Sequence, residues 1–326
     1  MSDMMMFQKE GIVMRNTLSD NLTNRMARVA HLPQFLLVVV ALTLGLVCAP
    51  AVTAKGKDGE SRYAKLDVGT GKDARIHYQS YGKGNEALVL IHGWTCSIEY
   101  WRDQIPDLAK RNRLIALDLP GHGMSDKPQV TYTMDLFARA VEAVLRDAGV
   151  KRAVLVGHSM GTPVARQFYR KYPDQTLAIV IVDGALRNFS DKKLMATMMA
   201  GFRSPNYQQT GLGMLTFMEG PTLSDANKER IKASFLNTPQ HVLVSAMEGM
   251  ADDSIWGQDK INVPVLAVLA KGPFYPPNNE QIFRETAPNL EYHMWEGVGH
   301  FLMMERPKEF NATVIGFLDK NQLLKK

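Results

Sequence analysis

Cysteine is scarce in this chain of 326 residues, which contains only Cys48 and Cys96. Cys48 lies in an N-terminal segment that we expect to be removed, and the single thiol that remains forms no intrachain disulfide. We therefore expect a hydrophobic core to stabilise the fold, and the 45% of hydrophobic residues allow one. We interpret Cys96 as a small buried apolar residue rather than a nucleophile.

Motifs for metals, nucleotides and nucleic acids are also missing. The sequence has no His-Glu-x-x-His, no paired Cys-x-x-Cys and no phosphate-binding glycine-rich loop, so we expect no metal ion and no other cofactor. Lysine and arginine form no cluster or stripe, and the net charge is only +5, which argues against nucleic acid as a partner. A small-molecule substrate remains the expected partner.

One long apolar run is present, FLLVVVALTLGLVC at residues 35–48. It follows Arg25 and Arg28 and precedes the small residues AVTA at 51–54, which is the layout of a secretory signal peptide. The run is shorter than the ~20 residues of a membrane span. We therefore predict that residues 1–54 are an N-terminal extension and signal peptide and that the protein is exported, to the periplasm or the medium. An uncleaved signal segment is the alternative, and the only membrane attachment that we expect.

The sequence GHSMG at residues 157–161 indicates a catalytic turn. It follows an apolar stretch at 152–156, typical of a buried strand, and precedes a helical pattern at 162–172. A serine at the tip of such a sharp turn is held in strained backbone geometry with its hydroxyl exposed, and the flanking glycines let strand and helix pass closely. We predict that Ser159 is the nucleophile.

Apolar strands alternate with amphipathic helices along the chain, which predicts an α/β fold with a mostly parallel sheet and helices on both faces. The expected strands span residues 63–68, 75–81, 86–91, 113–117, 152–156, 176–182, 263–270 and 289–295, the first two forming a hairpin. The expected helices include 97–110, bent by Pro106, 133–148, capped by Thr133, and 307–319.

Four motifs resemble those of the α/β-hydrolase superfamily in sequence and in order, namely HGW at 92–94, DLPGHG at 118–123, GHSMG at 157–161 and GVGH at 297–300. The resemblance covers nearly all of residues 63–320. It implies an α/β-hydrolase fold and acyl-transfer hydrolysis by a serine, a histidine and an acid.

The strand pattern stops between residues 184 and 262, where seven of the nineteen methionines lie together with several aromatic residues. The resemblance implies that residues 185–262 form an inserted helical cap (lid) over the GHSMG turn, while 63–184 and 263–322 form the α/β-hydrolase core. Methionine and aromatic side chains would give the cap an adaptable apolar inner face. Packing of the cap's own helices is the other role open to them. Few charged residues flank the presumed pocket, so we expect a neutral, partly apolar substrate.

A serine hydroxyl needs an adjacent base to act as a nucleophile. His300 is the predicted base, because it follows the last strand in a glycine-rich loop and can reach the C-terminal edge of the sheet. The other histidines lie in the signal segment, in a strand or in turn motifs, or belong to no motif. The chain order of nucleophile, acid and base supports the same assignment.

The acid departs from the commonest pattern of the family. Many similar proteins carry an aspartate after the penultimate strand, but residues 271–277 contain no carboxylate. Asp183 follows the strand before that one, where some lipases and the haloalkane dehalogenases look similar in placing their acid. We predict that Asp183 orients His300 and stabilises its imidazolium. Glu280 and Asp253 are the substitutes, and capping of the next segment is the other role open to Asp183.

A tetrahedral oxyanion needs preorganised donors. The backbone NH of Met160, directly after the nucleophile, is the first predicted donor, and the NH of Trp94, in the tight loop after a strand, is the second.

These roles predict a serine hydrolase that cleaves a small-to-medium, partly apolar ester-like substrate through an acyl-enzyme. The same residues would serve a carbon–carbon bond hydrolase, a lactonase, an amidase or a cofactor-free perhydrolase, and these alternatives stay open. Similar dehalogenases and epoxide hydrolases need a carboxylate in place of Ser159. A ligand-binding homologue without turnover is the alternative from another class, suggested by the late loop that lacks its acid.

Overall fold

The computed structural model describes residues 59–188 and 192–324. The predicted extension and signal peptide, residues 1–54, lie outside this described part, and so does Cys48. The described residues belong to one compact unit. No helix among them is both long and apolar enough to cross a membrane.

Runs of buried apolar and β-branched residues form a single sheet, which has eight strands within the described residues. The strands are β1 (Glu60–Leu66), β2 (Ala74–Tyr81), β3 (Glu86–Ile91), β4 (Leu114–Leu117), β5 (Arg152–His158), β6 (Thr176–Val182), β7 (Val265–Ala270) and β8 (Leu290–Trp295).

The spatial order of the strands is β1-β2-β4-β3-β5-β6-β7-β8. The first two form an antiparallel hairpin, β2 pairs antiparallel with β4, and all remaining pairs are parallel. This arrangement confirms the predicted mostly parallel sheet. Because parallel strands share one C-terminal edge, the residues that follow β3, β5 and β6 are brought close together.

Helices connect the parallel strands and cover the sheet. Outside the connection between β6 and β7 they are α1 (Ile105–Arg111), α2 (Met134–Ala148), α3 (Gly161–Lys171), α8 (Asn279–Thr286), α9 (Leu302–Glu305) and α10 (Pro307–Lys320). Helix α2 packs against α3, and α1 packs against α10. Thr133 caps α2 as predicted, because its hydroxyl accepts a hydrogen bond from the amide of Leu136 at 3.0 Å.

The prediction of one bent helix over residues 97–110 is wrong. A short 3₁₀ turn, Ile98–Trp101, comes first, and α1 begins separately at Ile105. Proline lacks an amide hydrogen and its ring collides with the preceding turn, so it is tolerated only at the start of a helix. Pro106 therefore lies in the first turn of α1 rather than at a bend.

In the described part of the connection between β6 and β7 lie four α-helices, namely α4 (Lys192–Arg203), α5 (Tyr207–Met218), α6 (Asp225–Leu236) and α7 (Gln240–Ala251). They pack on one another, and α7 also packs on α2. We call them the inserted helices.

Arg166, a buried residue of α3, holds both ends of the inserted segment. Its guanidinium donates a hydrogen bond to the carbonyl of Leu186 at 2.6 Å on one side. On the other side it donates to the carbonyl of Gly257 and to Asp259, whose Oδ1 lies 3.2 Å away. The helix that follows the GHSMG turn is thus the common anchor for the beginning and the end of the insertion.

Asp118, directly after β4, is buried. Its carboxylate accepts hydrogen bonds from His77 Nδ1 at 2.7 Å and from the amides of Ile98 at 2.9 Å and Met124 at 3.0 Å. Burial alone would raise the pKa of Asp118, but the hydrogen bond from His77 and the other donors outweigh burial and lower it. His77 Nε2 in turn lies 2.9 Å from the hydroxyl of Ser61 on β1. The group ties the sheet edge to β4.

Replacing Asp118 with alanine should lower the free energy of unfolding by about 3–5 kcal/mol, because buried donors lose their charged acceptor. Urea denaturation at pH 7 measures this. Since the folded-state pKa of Asp118 is lowered, its stabilisation is present at neutral pH and is lost as the pH falls below about 4. Asp319→Ala is the matched control, because Asp319 pairs with Arg111 at the surface and should cost less than about 1 kcal/mol. An equally small loss for Asp118→Ala would contradict the assignment.

Candidate active site

Ser159 lies directly after β5 and before α3, so the strand-turn-helix setting of GHSMG is as predicted. Its φ is +52°, in the left-handed region that non-glycine residues rarely adopt. The backbone is held there from the neighbouring strand, since the Ser159 amide donates to the carbonyl of Val182 at 2.9 Å. The strained turn places the serine at the C-terminal edge of the sheet.

Two glycines make this turn possible. A Cβ atom at Gly157 would lie 2.3 Å from the carbonyl oxygen of Gly161, and a Cβ at Gly161 would lie 2.4 Å from the carbonyl oxygen of Ile91. Both distances are far shorter than any real contact of a methyl group, and the obstructing atoms are backbone. The helix can pass over the strands only because these positions carry no side chain.

Asp183 and His300 are in direct contact. His300 Nδ1 lies 2.6 Å from Asp183 Oδ2, with the aspartate side chain almost fully buried. Because a carboxylate only accepts, the short distance assigns the proton to Nδ1 and leaves His300 Nε2 as an acceptor. Asp183 follows β6 directly and has a φ of +42°, so the acid, like the serine, occupies a strained turn.

The two alternative carboxylates lie elsewhere. Glu280 is on α8 and forms an ion pair with Arg284 at 2.7 Å. Asp253 is largely exposed and lies 3.5 Å from Lys192. The structure therefore brings Asp183, and neither substitute, to His300.

His158, the residue before Ser159 in the chain, contacts His300. The ring of His158 lies 4.8 Å from the ring of His300, centroid to centroid, and its Nε2 donates to the His300 carbonyl at 2.9 Å. Within the described residues no hydrogen bond joins the Ser159 hydroxyl to His300 Nε2. Such contacts are often long in the absence of substrate and tighten when substrate binds.

His158 is neutral. Burial, followed by the proximity of His300, lowers its pKa well below the usual value. A second positive charge beside the candidate base is thereby avoided, and His158 contacts His300 through the hydrogen bond to its carbonyl and through the neighbouring ring.

The loop that carries Trp94 approaches the serine, and Met160 follows the serine directly in the chain. A Cβ atom at Gly93 would lie 3.1 Å from Ser159 Cβ, which shows how closely this loop approaches the nucleophile. Thr95 has a φ of +58° and completes the tight loop. In the described part of the chain, neither amide donates a hydrogen bond to another residue. Both are therefore free to bind an oxygen atom of a ligand.

The side chain of Trp94 packs against the inserted helices and takes no part in the proposed oxyanion binding. Its indole Nε1 donates to the carbonyl of Leu243 in α7, at 2.9 Å. Its ring contacts those of Phe202 and Phe235, with centroids at 5.1 and 6.2 Å. The inserted helices therefore hold the loop that carries the Trp94 amide in place.

A cavity of about 510 Å³ near Arg111 and Leu324 shares no lining residue with this site.

Cys96 lies close to the same loop but is buried, and burial raises the pKa of its thiol to about 12. The thiol is therefore protonated at neutral pH and is no nucleophile. No group of histidine, cysteine, aspartate and glutamate that could hold a metal ion occurs among residues 59–188 and 192–324.

The sequence interpretation missed Tyr275. Its hydroxyl donates to Asp183 Oδ1 at 3.2 Å, and the amide of Ala270 donates to the same oxygen at 2.7 Å. Burial, and next the charge of Asp183, raise the pKa of Tyr275 well above its usual value, so it remains a donor. Tyr275 lies in the loop after β7, where the sequence shows no carboxylate. The tyrosine hydroxyl in that loop was the one feature of the sequence that could have indicated a partner for Asp183.

Comparisons with known proteins agree with this fold. The chain is 28% identical over 275 residues to the 2-hydroxy-6-oxononadienedioate/2-hydroxy-6-oxononatrienedioate hydrolase of Burkholderia vietnamiensis (strain G4 / LMG 22486), which covers 79% of this chain and 95% of that protein. It is similar to the structure of Est816, described as an N-acyl homoserine lactone degrading enzyme, with a TM-score of 0.66, 26% identity, and coverage of 78% of this chain and 99% of the other.

The esterase EaEST from Exiguobacterium antarcticum shares the fold, with a TM-score of 0.71 at 16% identity over 80% of this chain and 100% of the other. The family model described as alpha/beta hydrolase fold matches residues 86–307, more than half of the chain. The chain is therefore an enzyme of the alpha/beta hydrolase fold family.

Proposed function

We propose that this protein is a serine hydrolase that cleaves a small-to-medium, partly apolar ester through an acyl-enzyme. The contact between His300 Nδ1 and Asp183 Oδ2, at 2.6 Å, carries the proposal. It fixes the tautomer in which Nε2 can accept a proton from Ser159. The strained turn at Ser159 and the free amides beside it support the same roles.

In the proposed reaction Ser159 Oγ attacks the substrate carbonyl, and its proton passes to His300 Nε2. The oxyanion accepts hydrogen bonds from the amides of Trp94 and Met160. His300 then gives its proton to the departing alcohol, which leaves the acyl group on Ser159. Water, activated by the same imidazole, hydrolyses the acyl-enzyme. Asp183 stabilises the imidazolium that forms in each half-reaction.

The surroundings of the site favour an uncharged acyl group. The inserted helices contribute Phe202, Phe235 and Leu243 to the environment of Trp94. We propose that these helices act as a cap over the substrate, and that their apolar side chains receive its acyl portion. We also propose that residues 1–54 export the enzyme. N-terminal sequencing of the secreted protein tests this, and retention of residues before Lys55 would contradict cleavage.

A fluorophosphonate probe followed by intact-mass measurement tests the nucleophile. One adduct per chain, located on Ser159 by peptide mapping and absent from Ser159→Ala, supports the proposal. No adduct at neutral pH would overturn it and would favour a ligand-binding role. Ester turnover is then measured with p-nitrophenyl esters of graded chain length, which also measures the size of the acyl site.

Hydrolysis of a keto-dienoate or of a lactone is the second candidate. The similarity to the Burkholderia vietnamiensis hydrolase and to Est816 favours including both classes. An N-acyl homoserine lactone and a 2-hydroxy-6-oxo-dienoate are assayed beside the esters. A kcat/KM at least tenfold higher for either one would replace the ester as the proposed substrate class.

Replacing Tyr275 with phenylalanine should lower kcat/KM about fivefold, because Asp183 loses one of the two donors that hold its Oδ1 and then orients His300 less firmly. The Asp183 charge, shared with one donor fewer, then attracts the imidazolium more strongly. The acid limb of the plot of kcat/KM against pH should therefore move to higher pH. Tyr169→Phe is the control, since the Tyr169 hydroxyl contacts the amide of Asn262 instead. An unmoved limb for Tyr275→Phe would contradict its role.

A further inference from the structure

The loop that carries His300 is fixed by the inserted segment. The His300 amide donates to the carbonyl of Met218, the last residue of α5, at 2.9 Å. The preceding amide, that of Gly299, donates to Glu305 Oε1 at 2.7 Å. Two consecutive amides at the candidate base are thus held from outside the loop.

Glu305 joins this loop to the inserted segment. While its Oε1 accepts from Gly299, its Oε2 accepts from the hydroxyl of Thr222 at 2.7 Å and from the Thr222 amide at 3.3 Å. Thr222 lies between α5 and α6. One carboxylate therefore bridges two stretches of chain that belong to different parts of the fold. The function proposed above does not use it.

The two stretches are in backbone contact beneath this bridge. A Cβ atom at Gly220 would lie 2.1 Å from the Gly299 nitrogen, and a Cβ at Gly299 would lie 2.3 Å from the Gly220 nitrogen. No side chain fits at either position. The loop with the base and the start of the α5–α6 connection therefore cannot shift independently by more than a small amount.

We propose that Glu305 is a positioning residue that couples the placement of His300 to the position of the inserted helices. The inference rests on the proposed function, because it assumes that His300 is the base. Glu305 takes no part in the proposed chemical steps, and it acts through the amide of Gly299. When the inserted helices are displaced, the bridge transmits the displacement to the imidazole, and proton transfer from Ser159 slows.

The coupling predicts a specific pattern of kinetics. Glu305→Ala should lower kcat about 10- to 100-fold with KM changed less than about threefold, because a misplacement near 1 Å costs this much in rate. Glu305→Gln keeps a carbonyl oxygen for Gly299 and should retain at least a third of the activity. Thr222→Val removes the Thr222 hydroxyl from the bridge, and its kcat should lie between those of Glu305→Ala and Glu305→Gln.

The experiment measures kcat, KM and the second-order rate of fluorophosphonate labelling at Ser159 for these variants, for Glu305→Ala/Thr222→Val and for the control Glu309→Ala. Glu309 lies four residues further along and is about half exposed. The double variant should be no slower than Glu305→Ala, because both changes break one bridge. Unfolding curves for each variant separate a lost fold from a misplaced base, and if Glu305→Ala does not fold, Glu305→Gln and Thr222→Val carry the comparison.

The outcomes are distinct. If the natural chain labels at Ser159 and the bridge variants label as fast as the natural chain, the coupling is wrong and the proposed function stands. If the natural chain does not label, the proposed function fails first. Additive losses in the double variant, or losses confined to KM, would also overturn the coupling.

Discussion

Replacing Ser159 with alanine is expected to lower kcat by about 10⁶-fold, the largest effect that we predict for a single change. The reason is that, in the proposed mechanism, the turn at φ +52° holds the attacking hydroxyl at the sheet edge, and alanine removes that hydroxyl. The residual rate would come from the oxyanion donors and substrate binding alone. Initial rates with an activated ester, followed to single turnover, measure it.

Replacing Ser159 with glycine should abolish activity but increase the stability of the fold. A left-handed non-glycine residue costs of order 1–2 kcal/mol, so Ser159→Gly should raise the free energy of unfolding by about 1 kcal/mol while abolishing turnover. Ser61→Ala is the matched control, because Ser61 also contacts a histidine that pairs with an aspartate, but on an extended edge strand. We expect Ser61→Ala to keep full activity.

Turnover by Ser159→Ala within tenfold of the natural chain would exclude Ser159 as nucleophile.

Replacing Asp183 with asparagine should lower kcat by roughly 10⁴-fold with little change in fold. The donors Ala270 and Tyr275 both point at Oδ1, so the asparagine should keep its oxygen there and turn its NH₂ group toward His300. An NH₂ group can only donate, so Nδ1 must accept and the proton moves to Nε2. In that tautomer His300 cannot take a proton from Ser159.

Glu280→Gln and Asp253→Asn are the controls for Asp183→Asn, and we expect less than a twofold change for each. Rates are compared at several pH values, because hydroxide replaces part of a missing base at high pH. Near-natural activity of Asp183→Asn, or a large loss for either control, would reassign the third member of the triad.

The GHSMG turn and the sheet could be predicted because the sequence patterns that indicate them are local. GHSMG, the apolar strands and Thr133 each depend on a few consecutive residues. Asp183 was assigned from its place at a strand end, and the geometry brings it to His300. The break before Pro106 was missed, because the helical pattern continues across residues 97–110 while proline permits only a helix start.

Tyr275 and Glu305 could not be identified from the sequence, for a different reason. Their hydrogen bonds join residues far apart in the chain, such as Glu305 and Thr222, and no spacing rule connects them. A tyrosine in a loop and a glutamate at a helix end are common, and only the folded arrangement gives them partners.

The position of Arg166 has a practical consequence for protein engineering. Its guanidinium donates hydrogen bonds to the two ends of the insertion mainly at main-chain carbonyls, those of Leu186 and Gly257, and every sequence supplies such carbonyls. The corresponding segment of a relative could therefore be grafted between these two junctions without changing Arg166. Such chimaeras would keep the placement of His300 only if the grafted segment also supplied the carbonyl of Met218 and the hydroxyl of Thr222, which the loop with His300 and Glu305 bind.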